Sequence, residues 1–328
     1  MKYLITGGSG YIGGRLTDLL AEREDTEAIV NVDVRPPAPG VKSRFVRGDV
    51  RDGAALRELL EREQIDRLIH LAFILNPIRD EARMYDVDVN GCAAVLQAAS
   101  DAGTKQVLVT SSTTAYGAFP DNPRPIAEDW PVRGAPDFAY AKHKADADRI
   151  CQLWAAEHKD RVMTIVRPCI VFGPNVENYI VRAWENLPYT PVLDGVEEEF
   201  QLVHEDDLVA AITGLLESGS AGAFNVAGDG TMKWKEAAQM LGLRTPRMPF
   251  RLAYWLNKWS WRLHAPGTES PPGNLHFIRH PWVASNEKLK ATIDWKPEHD
   301  TRETFAITMR SRGATLAAQP VPAAPAAA

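Results

Sequence analysis

The first half of the chain alternates short apolar segments with longer segments in which apolar residues recur every three or four positions. The apolar segments predict strands, at Tyr3–Thr6, Ala28–Asp33, Ser43–Val46, Arg67–Ala72, Gln106–Ser111 and Val162–Arg167. The amphipathic segments predict helices, at Ile12–Glu24, Gly53–Glu63, Glu81–Ala102 and Phe138–His158. Crossovers between such strands produce a parallel sheet covered on both faces. The pattern therefore predicts an α/β fold with a doubly wound parallel sheet.

The alternation ends after Arg167, where prolines and glycines interrupt the pattern. A helix predicted at Asp206–Glu217 and a strand predicted at Ala223–Val226 return the chain to the sheet. Residues from about Gly228 to Arg310 are rich in Trp and Pro and are predicted to be irregular. We therefore predict a sheet domain at 1–167 completed by about 203–226, a smaller C-terminal domain at 168–202 and 227–311, and a disordered Ala/Pro-rich tail at 312–328.

The bulk composition is that of a globular protein and argues against several partners. A net charge of -6 predicts that the chain has no basic footprint for nucleic acid or an anionic membrane. No apolar run reaches the roughly 18 residues of a membrane span, and the chain opens on a strand-like segment rather than a signal peptide. The three cysteines, Cys92, Cys151 and Cys169, are widely spaced. We therefore predict buried thiols, no metal site and a cytoplasmic location.

A glycine-rich loop joins the first predicted strand to the first predicted helix. Gly7, Gly10 and Gly13 have the spacing that permits a tight turn, close approach of the backbone to a pyrophosphate, and close packing of helix on strand. The amides of the helix start, including those of Tyr11 and Ile12, would hold the phosphates. The loop therefore predicts a dinucleotide site.

The second predicted strand ends on an acidic residue. Asp33 follows Gly13 by 20 residues and is placed to bind both hydroxyls of an adenosine ribose. A carboxylate there would repel a 2′-phosphate, so NAD is favoured over NADP, although Arg35 could accommodate that phosphate. Asp49 and Val50 follow the third strand and are predicted to lie against the adenine.

A tyrosine and a lysine four residues apart lie on one face of a predicted helix. Lys144 is expected to lower the pKa of Tyr140, which would then exchange a proton with a substrate oxygen. Ser112 follows the apolar strand before that helix and could orient the same oxygen. The spacing alone is not specific, because Tyr254 and Lys258 repeat it in a Trp-rich segment that we predict to be a structural helix. Between the first pair, His143 is expected to face solvent.

Together these residues resemble the extended short-chain dehydrogenase/reductase family, which includes nucleotide-sugar epimerases and dehydratases and the 3β-hydroxysteroid dehydrogenases. The resemblance extends over roughly Met1 to Arg310. It rests on Thr6–Gly13, Asp33, Gly48–Val50, His70–Ala72, Asp88–Gly91, Ser111–Gly117, Tyr140–Lys144, Arg167–Pro168, Val171–Pro174 and Val203–Leu208.

The resemblance implies that the sheet domain is a Rossmann domain binding NAD(P) and that the smaller domain holds the substrate. It implies Ser112, Tyr140 and Lys144 as a catalytic triad. Tyr140 and Lys144 would also contact the cofactor, together with Leu71, Ala72, Phe73, Asn90 and Pro168. Family members often form homodimers through the helices that correspond to 81–102 and 138–158.

Two departures concern the substrate. Nucleotide-sugar members usually carry a diphosphate-binding Arg where this chain has Phe200, preceded by three glutamates at 197–199. Phe73 also makes the pocket more apolar than the Ala that is commoner there. The residues predicted to face the substrate are Ser112, Thr113, Asn175, Phe200 and His204.

Three functions remain open from the sequence. The first is an NAD(P)-dependent oxidoreductase acting on a hydroxyl or carbonyl of a small, fairly apolar molecule. The second is a nucleotide-sugar epimerase or dehydratase with tightly bound NAD. The third is a non-catalytic NAD-binding subunit, which the intact triad argues against. The aromatic segment 254–261 is expected to pack in the core of the small domain, or else to roof an apolar substrate or touch a membrane surface.

Overall fold

A computed structural model describes residues 1–186 and 189–317 of the chain. Its strands are β1 Lys2–Thr6, β2 Ala28–Asp33, β3 Arg44–Arg47, β4 Arg67–His70, β5 Gln106–Thr110, β6 Val162–Pro168, β7 Ile170–Phe172, β8 Val192–Leu193, β9 Glu199–Phe200, β10 Leu202–His204, β11 Gly222–Val226, β12 Met232–Lys233 and β13 Arg247–Met248. Its α-helices are α1 Tyr11–Ala21, α2 Gly53–Glu63, α3 Glu81–Tyr85, α4 Gly91–Asp101, α5 Ala139–Glu157, α6 Tyr179–Asn186, α7 Glu205–Ser218, α8 Trp234–Met240, α9 Phe250–Arg262, α10 His276–Arg279, α11 Glu287–Ile293 and α12 Thr301–Ser311. A π-helical turn, Asp86–Asn90, joins α3 to α4.

The central sheet confirms the predicted doubly wound α/β fold. Within the described residues it has seven strands, all parallel, in the order β11-β6-β5-β4-β1-β2-β3. The order reverses between β1 and β4, which is where ligands bind in such sheets, beyond the carboxyl ends of the strands.

Both faces of the sheet are buried, as its apolar strands require. Along β1, Tyr3 and Ile5 pack against α1 and α7, whereas Leu4 packs against α2, α4 and α5. All three side chains are fully buried. The alternation follows from the period of two along a strand.

The helix α5, which carries Tyr140 and Lys144, is tied to the sheet by a buried ion pair. Arg167 of β6 donates from Nε and from a terminal nitrogen to the two carboxylate oxygens of Asp148 on α5, each at 2.8 Å. It also donates to the hydroxyl of Tyr116 at 2.8 Å. Paired, hydrogen-bonded charges of this kind fix the position of a helix even where their net contribution to stability is small.

The smaller domain is more helical than the sequence predicted. The region from Gly228 to Arg310 was expected to be irregular, yet it contains α8 to α12 and part of a second core built around Trp184, Phe200 and Phe305. Four of these five helices have 11 residues or fewer, so each carries a weak periodic signal and is stabilised mainly by packing.

The predicted disordered tail is wrong at its start. Residues 312–317 contact the rest of the domain: Arg312 pairs with Glu177 and Glu185, and the amide of Ala317 donates to the carbonyl of Met240 at 2.9 Å. The rest of that tail, 318–328, lies outside the described residues. Across the described part of the chain, no helix is both long enough and apolar enough to cross a membrane.

Candidate active site

The glycine loop has the geometry that its sequence predicts. Gly7 adopts a φ of +76°, and a Cβ there would lie 2.6 Å from the backbone nitrogen of Ala72. A Cβ on Gly13 would lie 2.3 Å from the carbonyl oxygen of Gly7. Only glycine fits either position, so the loop folds tightly against β4 and leaves the start of α1 facing the cleft.

Asp33 lies directly beside this loop. Its carboxylate accepts hydrogen bonds from the amides of Ser9, at 3.2 Å, and Arg35, at 3.1 Å. The side chain is thus held at the loop, as ribose binding requires. Arg35 itself is exposed.

Two residues predicted to lie against the adenine have other partners. Asp49 pairs with Arg51 at 2.6 Å, and that guanidinium holds the pKa of the carboxyl below its usual range. Val50 packs in the core against Gly91 and the helices below the sheet. Neither is among the residues that line the cleft.

Within the described residues, a cavity with a volume of about 580 Å³ lies beyond the carboxyl ends of the sheet strands. It joins the glycine loop to the catalytic residues and continues into the smaller domain. The predicted site residues that line it are Gly7, Gly10, Tyr11, Ile12, Gly13, Leu71, Phe73, Ser112, Tyr140, Lys144 and Pro168. The structure therefore brings the dinucleotide loop and the three catalytic candidates into one site.

Tyr140 is almost fully buried in this cavity, at 8% exposure. Its ring meets those of Phe73 and Phe138 with centroids 5.6 and 5.9 Å apart. Burial raises the pKa of Tyr140, and the hydroxyls of Ser112 and Thr114 partly oppose that rise. The prediction that Lys144 lowers this pKa is therefore wrong, because desolvation is the largest cause of the shift and raises it.

Lys144 is buried on the same face of α5. Its ammonium donates to the carbonyl of Thr110 at 2.9 Å and lies 3.5 Å from the ring centroid of Phe73. Burial lowers the pKa of Lys144 to about 8, although the negative charge of Asp88 opposes the change. Lys144 is thus a cation held in a poorly solvated site, with few groups to stabilise its charge.

The π-helical turn contains two residues of the Asp88–Gly91 motif, Asp88 and Asn90, whose side chains have opposite surroundings. Asp88 is fully buried and accepts from the amide of Ile74 at 2.8 Å, and its other oxygen lies 3.3 Å from Nδ1 of His143. Asn90, which we predicted to line the cofactor, is exposed and donates to Asp86. His143, expected in solvent, is 3% exposed. Asn90 therefore does not line the cavity, and His143 is buried because it packs against Asp88 and the ring of Tyr85.

Four residues predicted to face the substrate do not line the cavity. Thr113 is fully buried beside Ser112, and His204 is buried against the ring of His299. Asn175 donates to Glu205 at 2.6 Å. Phe200 stacks on Trp234 at 4.3 Å and lies near Trp184, so these two rings rather than Phe200 face the cavity.

Several other residues that line the cavity were not predicted from the sequence. Thr114 lines the site one residue after the predicted Thr113, because Thr113–Tyr116 form a 3₁₀ turn. The cavity wall in the smaller domain comes from loops and short helices far apart in the chain. Its members include Asn178, Tyr179, Ile180, Trp184, Trp234, Phe277, Ile278 and Trp282. Of these segments, only Ser112–Tyr116 could have been found from the sequence, because it directly follows the end of a strand.

The Trp-rich segment is a helix, as predicted, but it does not pack as expected. Residues of α9 roof the cavity, namely Ala253, Leu256, Asn257 and Ser260. Trp255 and Trp259 are exposed, at 57% and 43%, rather than buried in a core. The three cysteines are buried and free, as predicted.

Comparison with known proteins agrees with this geometry. The model of the NAD dependent epimerase/dehydratase family matches residues 3–227. The chain belongs to this family. It is an enzyme of the extended short-chain dehydrogenase/reductase type, and its cofactor is NAD.

Individual relatives are distant. An uncharacterized protein of Mycobacterium bovis is 24% identical over 95% of this chain and 84% of its own length. Sterol demethylase protein B of Methylococcus capsulatus is 34% identical over 53% of this chain and 52% of its own. A dTDP-glucose 4,6-dehydratase from Streptomyces venezuelae, solved with NAD and TYD bound, has a TM-score of 0.74 at 23% identity, covering 95% of this chain and 97% of that one. This last likeness concerns the fold.

Proposed function

We propose that the enzyme oxidises a hydroxyl, or reduces a carbonyl, on a largely apolar substrate. The observation that carries the proposal is the wall of the cavity beyond Tyr140. It is built from aromatic and aliphatic side chains, including Trp184, Trp234, Phe277 and Trp282. Such a wall favours a hydrophobic ring or chain over a hydrated one.

Charge supports the same substrate class. Among the described residues that line the cavity, Lys144 is the single Lys or Arg, and it lies at the catalytic end. Glu269 adds a carboxylate, which is paired with Arg182 at 2.9 Å. A nucleotide-sugar diphosphate would be held there without the cation that normally pairs with it. The partial likeness to a sterol demethylase protein fits an apolar substrate.

The chemistry follows from three side chains. Tyr140 exchanges a proton with the reacting oxygen, and its raised pKa makes it a proton donor at neutral pH, as carbonyl reduction requires. Ser112 orients that oxygen by a hydrogen bond, and Lys144 supplies positive charge beside it. NAD, held by the glycine loop and Asp33, supplies the hydride acceptor or donor when it is bound.

Two further proposals concern the whole protein. Leu153, on the outer face of α5, is 63% exposed, which supports a homodimer through α4 and α5. We also propose that the enzyme works in the cytoplasm on a small molecule, without nucleic acid.

The test is a paired substrate screen with purified enzyme. Hydroxysteroids and long-chain secondary alcohols with NAD, and the matching ketones with NADH, should give turnover detected by NADH absorbance and product mass. UDP- and dTDP-sugars should give neither turnover nor binding. Turnover confined to the sugar nucleotides would contradict the proposal.

A nucleotide-sugar epimerase or dehydratase remains the second candidate, because the family and the structural likeness both include such enzymes. That reaction recycles its NAD, so the cofactor should remain bound through purification. Calorimetric titration with UDP, together with mass analysis of the purified protein, separates the two candidates.

A further inference from the structure

The exposed face of α9 carries a continuous apolar stripe. Leu252, Trp255, Leu256, Trp259 and Leu263 recur at spacings of three and four, which places them on one side of the helix. Their exposures are 47%, 57%, 43%, 43% and 71%. Five large apolar side chains exposed in one row form a patch, which for a solvated protein requires an explanation.

A basic stripe flanks this apolar one. Arg251, Lys258 and Arg262 lie along the neighbouring side of α9, and residues 250–264 contain no Asp or Glu. The guanidinium of Arg262 lies 5.7 Å from the ring centroid of Trp259, and that of Arg79 lies 4.3 Å from Trp261. The chain as a whole has a net charge of -6, so this surface departs locally from the overall charge.

The helix is held firmly in this orientation. Tyr254 donates to Asp137 at 2.8 Å from its inner side, and the amide of Phe250 donates to Asp194 at 2.9 Å. Its inner face closes the cavity, and Leu256 both lines the cavity and belongs to the exposed stripe. The apolar surface outside is therefore continuous with the edge of the apolar cavity inside.

We infer that α9 docks this enzyme on the surface of an anionic lipid bilayer. Trp and Leu side chains inserted at the boundary of headgroups and acyl chains, with Lys and Arg beside them, are what an interfacial amphipathic helix presents. The basic stripe provides charge complementarity to anionic headgroups. Docking in this orientation would place the cavity edge at the lipid, where apolar substrates concentrate. The net charge of -6 predicts no contact with an anionic membrane. That prediction fails here because a net charge does not show that basic residues are clustered on one surface.

Binding of the full-length protein to vesicles tests this inference without any catalytic assay. Flotation with phosphatidylcholine vesicles containing a third of phosphatidylglycerol should retain the protein, whereas pure phosphatidylcholine should retain much less. Trp255→Gln with Trp259→Gln should lower the partition coefficient by about ten-fold or more. Brominated acyl chains should quench the tryptophan fluorescence of the wild type.

Two matched controls distinguish binding through this surface from nonspecific adsorption of the protein to vesicles. Leu263→Gln should weaken binding, whereas Leu19→Gln, at an exposed leucine on α1, should not. Replacing Arg251, Lys258 and Arg262 by Gln should remove the preference for anionic vesicles, whereas the same change at exposed Arg57, Arg62 and Lys105 should preserve it. NAD affinity, unchanged in every variant, shows that each one folds.

Some results would overturn the inference. One is equal retention of the Trp variant and the wild type, and another is no retention by anionic vesicles. A third is a dimer that becomes monomeric in the Trp variant while vesicles bind neither protein, which would make this face a contact between copies of the chain. The vesicle experiment contains no substrate, so a negative result would not contradict the proposed function.

Discussion

Two helices of this molecule carry the same tyrosine–lysine spacing and do different things with it. On α5, Tyr140 and Lys144 are buried, at 8% and 4% exposure, at the carboxyl ends of the sheet strands. On α9, Tyr254 donates to Asp137, and Lys258 lies on the exposed side of the helix. The comparison shows that the spacing positions two side chains on one face, whereas burial and neighbours decide whether they can do chemistry.

The surroundings explain the difference in physical terms. Tyr140 lies in the cavity with the hydroxyls of Ser112 and Thr114, which lower its pKa against the larger effect of burial, and with a lysine whose charge is poorly solvated. Burial, together with the carboxylate of Asp137, raises the pKa of Tyr254 to about 12. The hydroxyl of Tyr254 is engaged in a hydrogen bond to Asp137 that holds its helix, and it lies outside the cavity.

The largest expected difference is between two single variants, each of which removes the tyrosine hydroxyl of one helix. Tyr140→Phe should lower turnover by roughly 10²–10⁴-fold, because the proton-transfer group is lost. Tyr254→Phe should leave turnover within about a few-fold. Steady-state kinetics measure both, with NADH titration to show that cofactor affinity is retained. Similar losses in the two variants would mean that Tyr140 acts structurally.

A second pair of variants tests how α5 is held. Asp148→Ala should destabilise the protein by about 3–5 kcal/mol, because it leaves the buried guanidinium of Arg167 without its carboxylate. Asp146→Ala on the same helix removes a partly exposed pair with Arg149 and should cost about 0.5 kcal/mol or less. Urea unfolding measures both, and comparable losses would contradict the anchoring role of Arg167.

A third variant separates function from stability. Lys144 has a pKa of about 8 when folded, below its value of 10.5 in an unfolded chain, so the unfolded state binds more protons between these values. Stability should therefore rise with pH across that window and should be reduced below it. Lys144→Met should stabilise the cofactor-free protein at pH 7 by on the order of 1 kcal/mol while removing activity.

Lys258→Met is the matched control, and thermal unfolding as a function of pH is the measurement. Because Lys258 is exposed, its replacement should leave both activity and the pH dependence of stability nearly unchanged. Loss of stability in Lys144→Met at pH 7 would show that the hydrogen bond to Thr110 outweighs desolvation.

The smallest effect concerns the pH profile. Thr114 lowers the pKa of Tyr140, so Thr114→Val should raise it. Alcohol oxidation needs the deprotonated tyrosine, and its rate profile should shift to higher pH by a fraction of a unit. Thr113→Val, at the buried neighbour that does not line the cavity, should leave the profile in place. A shift in the opposite direction would refute the role assigned to Thr114.

Local patterns in the chain were enough to predict the sheet, the glycine loop and three candidate catalytic residues. Strand and helix periods are local, so β2 and α2 have the predicted bounds. Gly13 is required by a contact with Gly7 in the same loop, whereas Gly7 is required by the backbone of Ala72, which the fold brings beside it. Ser112, Tyr140 and Lys144 follow from motifs at strand ends and on one helix face.

The tertiary structure alone decided which side chains face the substrate and which face solvent. A π turn placed Asp88, not Asn90, in the core and paired it with His143. The cavity wall joins residues from α6, α8, α9 and α10, so no local period could predict it. The two tyrosine–lysine pairs look alike in the sequence because spacing is a local property, and they differ in the fold because desolvation depends on the elements packed around them.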